Sequence, residues 1–345
     1  MASKTHSRPE GDAVRLAFVG CGRMTRWHLE GGLGAFDDVE FVGWCDVVEE
    51  SARARREEAG GQGEVFDDVG RMLDRTRPDA VFIVLPPFAH GAAEAAVLER
   101  EIPFFVEKPV ALDTDVAARV LERVRETGVL NAAGYMFRYK EPVRQVRALL
   151  EGQTPVLLHG GWLGAGPPES DPVWRWWVRK DLSGGQLLEQ GTHTLDLARH
   201  LFGEITTVYA TAVRDRREVP AAFTIEDASM VQLAFRNGAA GTIYSACCTP
   251  VGGGVSLSLW TTQMRVDFAE REHTATIHGP DGVATVPGDP ALFRAHDRAF
   301  VDAVKTGQRE RVLATYEDGY EALRIARAAD TSMRTGEPVT LAPRD

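Results

Sequence analysis

A chain of 345 residues is long enough for two ordinary domains. With 44% hydrophobic and 26% charged residues, it is neither wholly disordered, nor collagen-like, nor a disulfide-stapled miniprotein. Its 39 Lys and Arg against 50 Asp and Glu give a net charge of −11, which lacks the positive footprint of a nucleic-acid binder.

The first 13 residues are polar, have no apolar core of a signal peptide, and read as a disordered tail. From residue 14, short apolar strands alternate with helices. Strands are predicted at 14–19, 40–45, 80–85, 103–106 and 129–132, and helices after the first strand to about 33 and at 49–59, 89–100 and 114–127. The run at 80–85 has no polar alternation, as expected of a strand covered on both faces of a parallel sheet. Beyond 133 the pattern changes: strands at 155–163, 205–213, 229–235, 240–246 and 255–260 mostly lack intervening helices. Asn237-Gly238 between two of them predicts a type I′ hairpin. A helix is expected at about 186–202, and two more, about 291–306 and 316–332, close the chain. The expected fold is α/β: a doubly wound parallel sheet of Rossmann type over 14–133, then an α+β domain with a large, mostly antiparallel sheet over 134–345. The closing helices have the option of packing back on the first domain. No apolar run approaches a membrane span, so no membrane partner is expected. Cys21, Cys45, Cys247 and Cys248 form no C-x-x-C pair, which points to a reducing, cytoplasmic setting.

Gly20-Cys21-Gly22-Arg23-Met24 follows the first strand and carries the first two glycines of G-x-G-x-x-G. Such a turn brings backbone N–H groups to a pyrophosphate at a helix N-terminus. Thr25 stands in the third position, where Gly or Ala packs closest to the sheet. Asp46 ends the second strand, 24 residues after Gly22, where a carboxylate accepts ribose hydroxyls and repels a 2′-phosphate. The cofactor expected is therefore NAD rather than NADP. The plainer reading of Asp46 is a cap for the helix that follows.

The run Glu107-Lys108-Pro109 after a buried-looking strand resembles the signature of the Gfo/Idh/MocA oxidoreductases. So do Leu85-Pro86-Pro87 with His90, Gly134-Tyr135-Met136-Phe137-Arg138-Tyr139, and Gly184-Gly185-Gln186 through His193. The resemblance runs from about 14 to 341. It implies that Lys108 is the active-site lysine, that Glu107, Leu85–Pro87 and His90 lie on the cofactor side, and that His193 is the general base. It places Arg138 at the substrate and implies a homo-oligomer, dimer or tetramer. Many relatives have Asp four residues before this histidine; here Glu189 stands there, to touch substrate or to orient His193.

Without the family, the same residues have other readings. Lys108 is a surface lysine or a ligand contact at the carboxyl edge of the sheet. Glu189, His193 and Asp196 sit on one predicted helix and spell a set able to chelate Zn or Fe, but with no second ligand cluster a hydrogen-bonded network is expected and no metal. Gly191 inside that helix costs about 1 kcal/mol against Ala, so something packs on its bare backbone: nicotinamide, substrate or the sheet. Trp174-Arg175-Trp176-Trp177 is either a substrate platform, with Arg175, Trp176 and Trp177 as contacts, or plain packing. Together these readings predict an NAD-dependent dehydrogenase of a sugar, cyclitol or glycoside, in natural-product or aminosugar biosynthesis. The alternatives are a cofactor-recycling epimerase, lyase or glycosidase on the same fold, and a non-catalytic NAD or sugar sensor.

Overall fold

The structure, a computed structural model, describes residues 13–216, 218–249, 251 and 253–343. The tail expected at 1–13 therefore lies outside the described residues except for Ala13. Two compact units emerge: the chain up to Met136 with Ala291–Tyr320, and Phe137–Pro290 with Glu321 onward.

In the first unit the elements are β1 (Val14–Val19), α1 (Arg23–Gly31), β2 (Val39–Cys45), α2 (Glu49–Glu58), β3 (Glu64–Phe66), α3 (Val69–Thr76), β4 (Ala80–Ile83), α4 (Ala92–Leu98), β5 (Phe104–Val106), α5 (Thr114–Thr127) and β6 (Asn131–Ala133). The strands pair in parallel in the order β3-β2-β1-β4-β5-β6, which reverses direction of growth between β1 and β4. That reversal opens a crevice at the carboxyl ends of the strands, where α/β sheets bind ligands. Every residue of β4 is fully buried, which is why its sequence shows no polar alternation. Local chemistry sets the helix ends. Asp113 caps α5 by accepting the N–H groups of Asp115 and Val116, and Gly128 ends it at φ +62. The sequence reading missed β3 and α3, because three strand residues are too few to show a period.

The second unit contains α6 (Glu141–Leu149), β7 (Pro155–Leu163), the short helices α7 (Trp174–Trp177) and α8 (Lys180–Ser183), and α9 (Thr192–Phe202). There follow β8 (Ile205–Val213), β9 (Ala228–Phe235), β10 (Ala240–Ala246), β11 (Gly254–Thr261), β12 (Arg265–Ala269), β13 (Thr274–Gly279) and β14 (Gly282–Val286). The chain then gives α10 (Arg294–Thr306) to the first unit, runs through α11 (Tyr316–Thr335) and ends in β15 (Val339–Thr340). The nine strands pair in the order β14-β13-β12-β11-β7-β10-β9-β8-β15, antiparallel except for β7 with β10. Strict alternation of burial along β9 and β11 gives this sheet one covered face and one open face. The hairpin at 237–238 is present, but not as type I′. Gly238 N–H donates to Phe235 O at 3.0 Å, and only Gly238, at φ +88, takes a positive φ. Arg236 and Asn237 thus form the turn and Gly238 the bulge after it.

Among the described residues, no helix is long and apolar enough to cross a membrane.

Candidate active site

The turn between β1 and α1 is built around backbone. Gly20 sits at φ +87, and a Cβ there would stand 2.1 Å from the Val84 carbonyl oxygen, so only glycine fits. Gly22 is glycine for another reason. A Cβ on it would meet nothing within 4 Å, so bare backbone at the N-terminus of α1 faces open space. That is the room a pyrophosphate needs. Thr25, the departure from the glycine pattern, is fully buried and donates its hydroxyl to Gly20 O at 2.6 Å, tying the turn shut. Asp46 Oδ2 accepts the Cys21 N–H at 2.7 Å and Oδ1 accepts the Val48 N–H at 2.8 Å. Its carboxylate thus braces both the turn and the start of α2, and its half-buried oxygens retain lone pairs for hydroxyl donors. Arg23 is exposed, its guanidinium over the Trp27 ring at 5.3 Å, and Met24 is half-buried. These residues fit an NAD adenosine diphosphate.

Further along the same carboxyl edge lie Leu85-Pro86-Pro87 after β4 and Glu107-Lys108 after β5. Leu85 and Pro86 are half-buried and Pro87 buried. His90 is turned inward: Nδ1 lies 2.6 Å from Glu94 Oε1 and Nε2 3.1 Å from Leu85 O, so the ring ties the proline loop to α4. Glu107 is also turned inward, 4% exposed. Its Oε1 meets His28 Nε2 at 3.0 Å, and its Oε2 accepts the Lys108 N–H at 3.0 Å. Burial opposes its charge, but the bond and charge of His28 prevail and hold its carboxyl below the usual range. Lys108, followed by a cis bond to Pro109, is half-buried at the strand end.

In the second unit, residues 187–191 do not continue an α-helix. They form a π-helical turn, Leu187–Gly191, ahead of α9, a feature often found at functional sites. Glu189 Oε2 accepts Trp177 Nε1–H at 3.1 Å and the Gln190 amide at 2.5 Å. Trp177 itself is 3% exposed and packs in a cluster with Val178, Ile225 and Cys247. Trp176 is half-buried against that cluster and Arg175 is exposed. Gly191 backs onto the sheet: a Cβ would meet Leu187 at 3.0 Å and Ser245 of β10 at 3.6 Å. Helix–sheet packing explains this glycine without a ligand.

His193 lies in the first turn of α9, 2% exposed, with the Phe137 ring centroid at 5.1 Å and the Trp162 ring stacked at 5.9 Å. Arg138, expected at the substrate, is buried instead. Its Nε and Nη2 hold both oxygens of Asp196, at 2.9 and 2.6 Å, which fixes α9 one turn beyond His193. Asp196 is therefore the ion-pair partner of Arg138.

The sequence reading missed His28, Phe137 and Trp162. His28, His296 and Asp297 come together in the first unit through hydrogen bonds: His28 Nδ1 lies 2.9 Å from Asp297 Oδ1, and His296 Nδ1 lies 2.5 Å from Phe293 O.

Residues 14–135 match the family described as an oxidoreductase family with an NAD-binding Rossmann fold, and 143–285 match the GFO/IDH/MocA C-terminal domain. The chain is 26% identical to scyllo-inositol 2-dehydrogenase (NAD(+)) of Bacillus subtilis over 340 residues, 95% of this chain and 96% of that one. It is 26% identical to myo-inositol 2-dehydrogenase of Thermotoga maritima, over 95% and 98% of the two chains. The fold is shared with the WlbA dehydrogenase of Bordetella pertussis, solved with NADH and UDP-GlcNAcA. There the TM-score is 0.81 at 21% identity, covering 96% of this chain and all of that one.

Proposed function

The chain belongs to the GFO/IDH/MocA oxidoreductase family, whose N-terminal domain binds NAD, and from that premise we propose that it oxidises a secondary alcohol of a sugar, cyclitol or glycoside, or reduces the matching ketone. One observation carries the reading. In a single unit the glycine turn, Asp46 and Lys108 all lie along the carboxyl edge of one parallel sheet.

Bound NAD supplies the ring that accepts or returns hydride. The protein does the rest. The N–H groups at the start of α1 hold the pyrophosphate, and Asp46 takes the ribose hydroxyls while opposing a 2′-phosphate. Lys108 Nζ donates to the reacting oxygen and stabilises its developing negative charge. His193 takes the hydroxyl proton in oxidation and returns it in reduction, and the aromatic rings of Phe137 and Trp162 keep its surroundings dry. Glu189, bonded to Trp177, holds the π-helical turn that sets His193. The cysteines, none in a disulfide among the described residues and three of them buried, suit a reducing, cytoplasmic setting. The open face of the nine-stranded sheet, with Leu157 and Met230 exposed, supports a homo-oligomer, which light scattering tests.

The test of function is NADH formation on a panel of cyclitols, hexoses and aminosugars. Turnover with net NADH supports the reading. Product without net NADH would replace it with cofactor recycling, and NAD binding with no turnover on any member would replace it with a sensor.

A further inference from the structure

One imidazole joins three distant parts of the first unit. His28, in the middle of α1, is fully buried among the rings of Phe293, Phe105 and Phe82, at 4.9, 5.4 and 5.6 Å. Its Nδ1 lies 2.9 and 3.0 Å from the two oxygens of Asp297, on α10. Its Nε2 lies 3.0 Å from Glu107 Oε1, at the end of β5. Both carboxylates are buried, Asp297 at 0% and Glu107 at 4% exposure.

A neutral imidazole has one donor, and here both nitrogens face carboxylate oxygens. The geometry therefore calls for an imidazolium. Burial opposes that charge, but the charge and bonds of Asp297 and Glu107 outweigh it and raise the His28 pKa to about 10. The neighbouring His296 ring, 5.6 Å away on α10, is pushed the other way, by burial and by the His28 charge. Lys108 completes the set of charges around Glu107.

Glu107 has no freedom to swing. Its N–H donates to Ile83 O at 2.8 Å, one carboxylate oxygen is held by His28, and the other accepts the Lys108 N–H. On the remaining side Gly134 leaves just enough space, since a Cβ there would stand 2.7 Å from Glu107 Oε2. We propose that His28 is a positioning residue for Lys108: as an imidazolium backed by Asp297 it locks the Glu107 carboxylate, and Glu107 fixes the backbone of Lys108 and lends it a negative neighbour. This rests on the reading of Lys108 given above.

Three measurements test it. Nitrogen-15 shifts of the His28 ring in the wild-type protein at pH 8 should show both nitrogens protonated; a neutral ring overturns the proposal without any substrate. His28→Gln should lower kcat about ten-fold or more with NAD affinity within about three-fold of wild type, because only Lys108 geometry is lost. Asp297→Asn removes one counter-charge and should move the alkaline limb of the kcat–pH profile down by about one pH unit or more. A residue that merely stabilises the fold would lower melting temperature and leave that limb in place, and this outcome overturns the proposal even where His28→Gln does not fold. Lys108→Ala is measured alongside. Should it lose turnover while His28→Gln and Asp297→Asn keep the wild-type rate and pH profile, the proposal fails alone. Should Lys108→Ala itself turn over normally, the Lys108 reading falls and the proposal with it.

Discussion

His28 in the first unit and His273 in the second are both buried, 0% and 1% exposed, yet their surroundings treat them in opposite ways. His28 is held charged between two carboxylates. His273 packs on the Phe137 and Phe268 rings at 4.2 and 5.9 Å, and donates from Nδ1 to Arg271 O at 3.0 Å. Burial, with the Lys140 charge adding, pushes its pKa down to about 4, so it stays neutral. The first unit thus fixes its functional edge with charge drawn from distant segments, and the second surrounds His193 with rings. The second unit also has ion pairs with buried carboxylates, Arg138 with Asp196 beneath the helix and Lys180 with Glu226 at 3.0 Å.

The largest expected effects come from the groups each unit contributes to chemistry. His193→Ala and Lys108→Ala should each lower kcat by about 10²–10⁴-fold, the usual range for losing a general base or a charge-stabilising donor. The NAD dissociation constant of His193→Ala, by calorimetry, should match wild type, because the cofactor turn belongs wholly to the first unit. Trp177→Ala should separate packing from chemistry. Deleting a buried indole costs about 3–5 kcal/mol of stability, so urea unfolding should shift strongly while KM on any surviving enzyme stays near wild type. Trp176→Ala, half-buried, should do the reverse: raise KM with little change in the urea midpoint. A normal KM in Trp176→Ala would reduce the whole tryptophan segment to packing.

The histidine contrast also predicts opposite pH windows. His28, with its folded pKa raised, contributes stability that is complete below its unfolded pKa of about 6.5 and fades as pH rises through about 10. His273, with its folded pKa depressed, contributes stability that is complete above about 6.5 and fades as pH falls through about 4. Urea midpoints between pH 4 and 10 should therefore lose part of their acid-side slope in His273→Phe and part of their alkaline-side slope in His28→Gln. Identical pH profiles for both variants would break the contrast.

Elements whose hydrophobic run matches their burial were legible. The bounds of β1, β7, β8, β10 and α5 fall where the apolar pattern and the Asp113 and Gly128 signals put them. β12, β13 and β14 were not legible. They pair one after another at a sheet edge, and exposed positions such as Val283 dilute the alternation. In the site, the glycine turn and Glu107-Lys108-Pro109 were legible as short local strings. The direction Glu107 faces was not, because it is set by His28 and Asp297, which are 269 residues apart in sequence. Nor was the role of Thr25, whose hydroxyl closes the turn by a bond no spacing rule encodes. The π-helical turn at Leu187–Gly191 reads as ordinary helix, since its residue types carry no signal for an extra residue per turn.

Asp46 is where the first unit's reliance on charge meets cofactor choice, and its expected effect is the smallest. The carboxylate is held by two backbone N–H groups, Cys21 at 2.7 Å and Val48 at 2.8 Å, so it cannot rotate away from an incoming phosphate. NADP would place a 2′-phosphate against it, while NAD offers hydroxyl donors. Asp46→Ser keeps a small acceptor near both N–H groups and removes the charge. The preference for NAD over NADP should then shrink by about 1–3 kcal/mol, the range for hydrogen bonds to and repulsion by a partly buried charge. Calorimetry with both cofactors on wild type and variant measures it, and it should depend on salt, since half-exposed charges are screened. Equal affinity for the two cofactors in the wild type would show that the turn, not the carboxylate, governs binding. Asp46 would then be only the brace between the glycine turn and α2, and specificity in the first unit, like support in the second, would rest on shape.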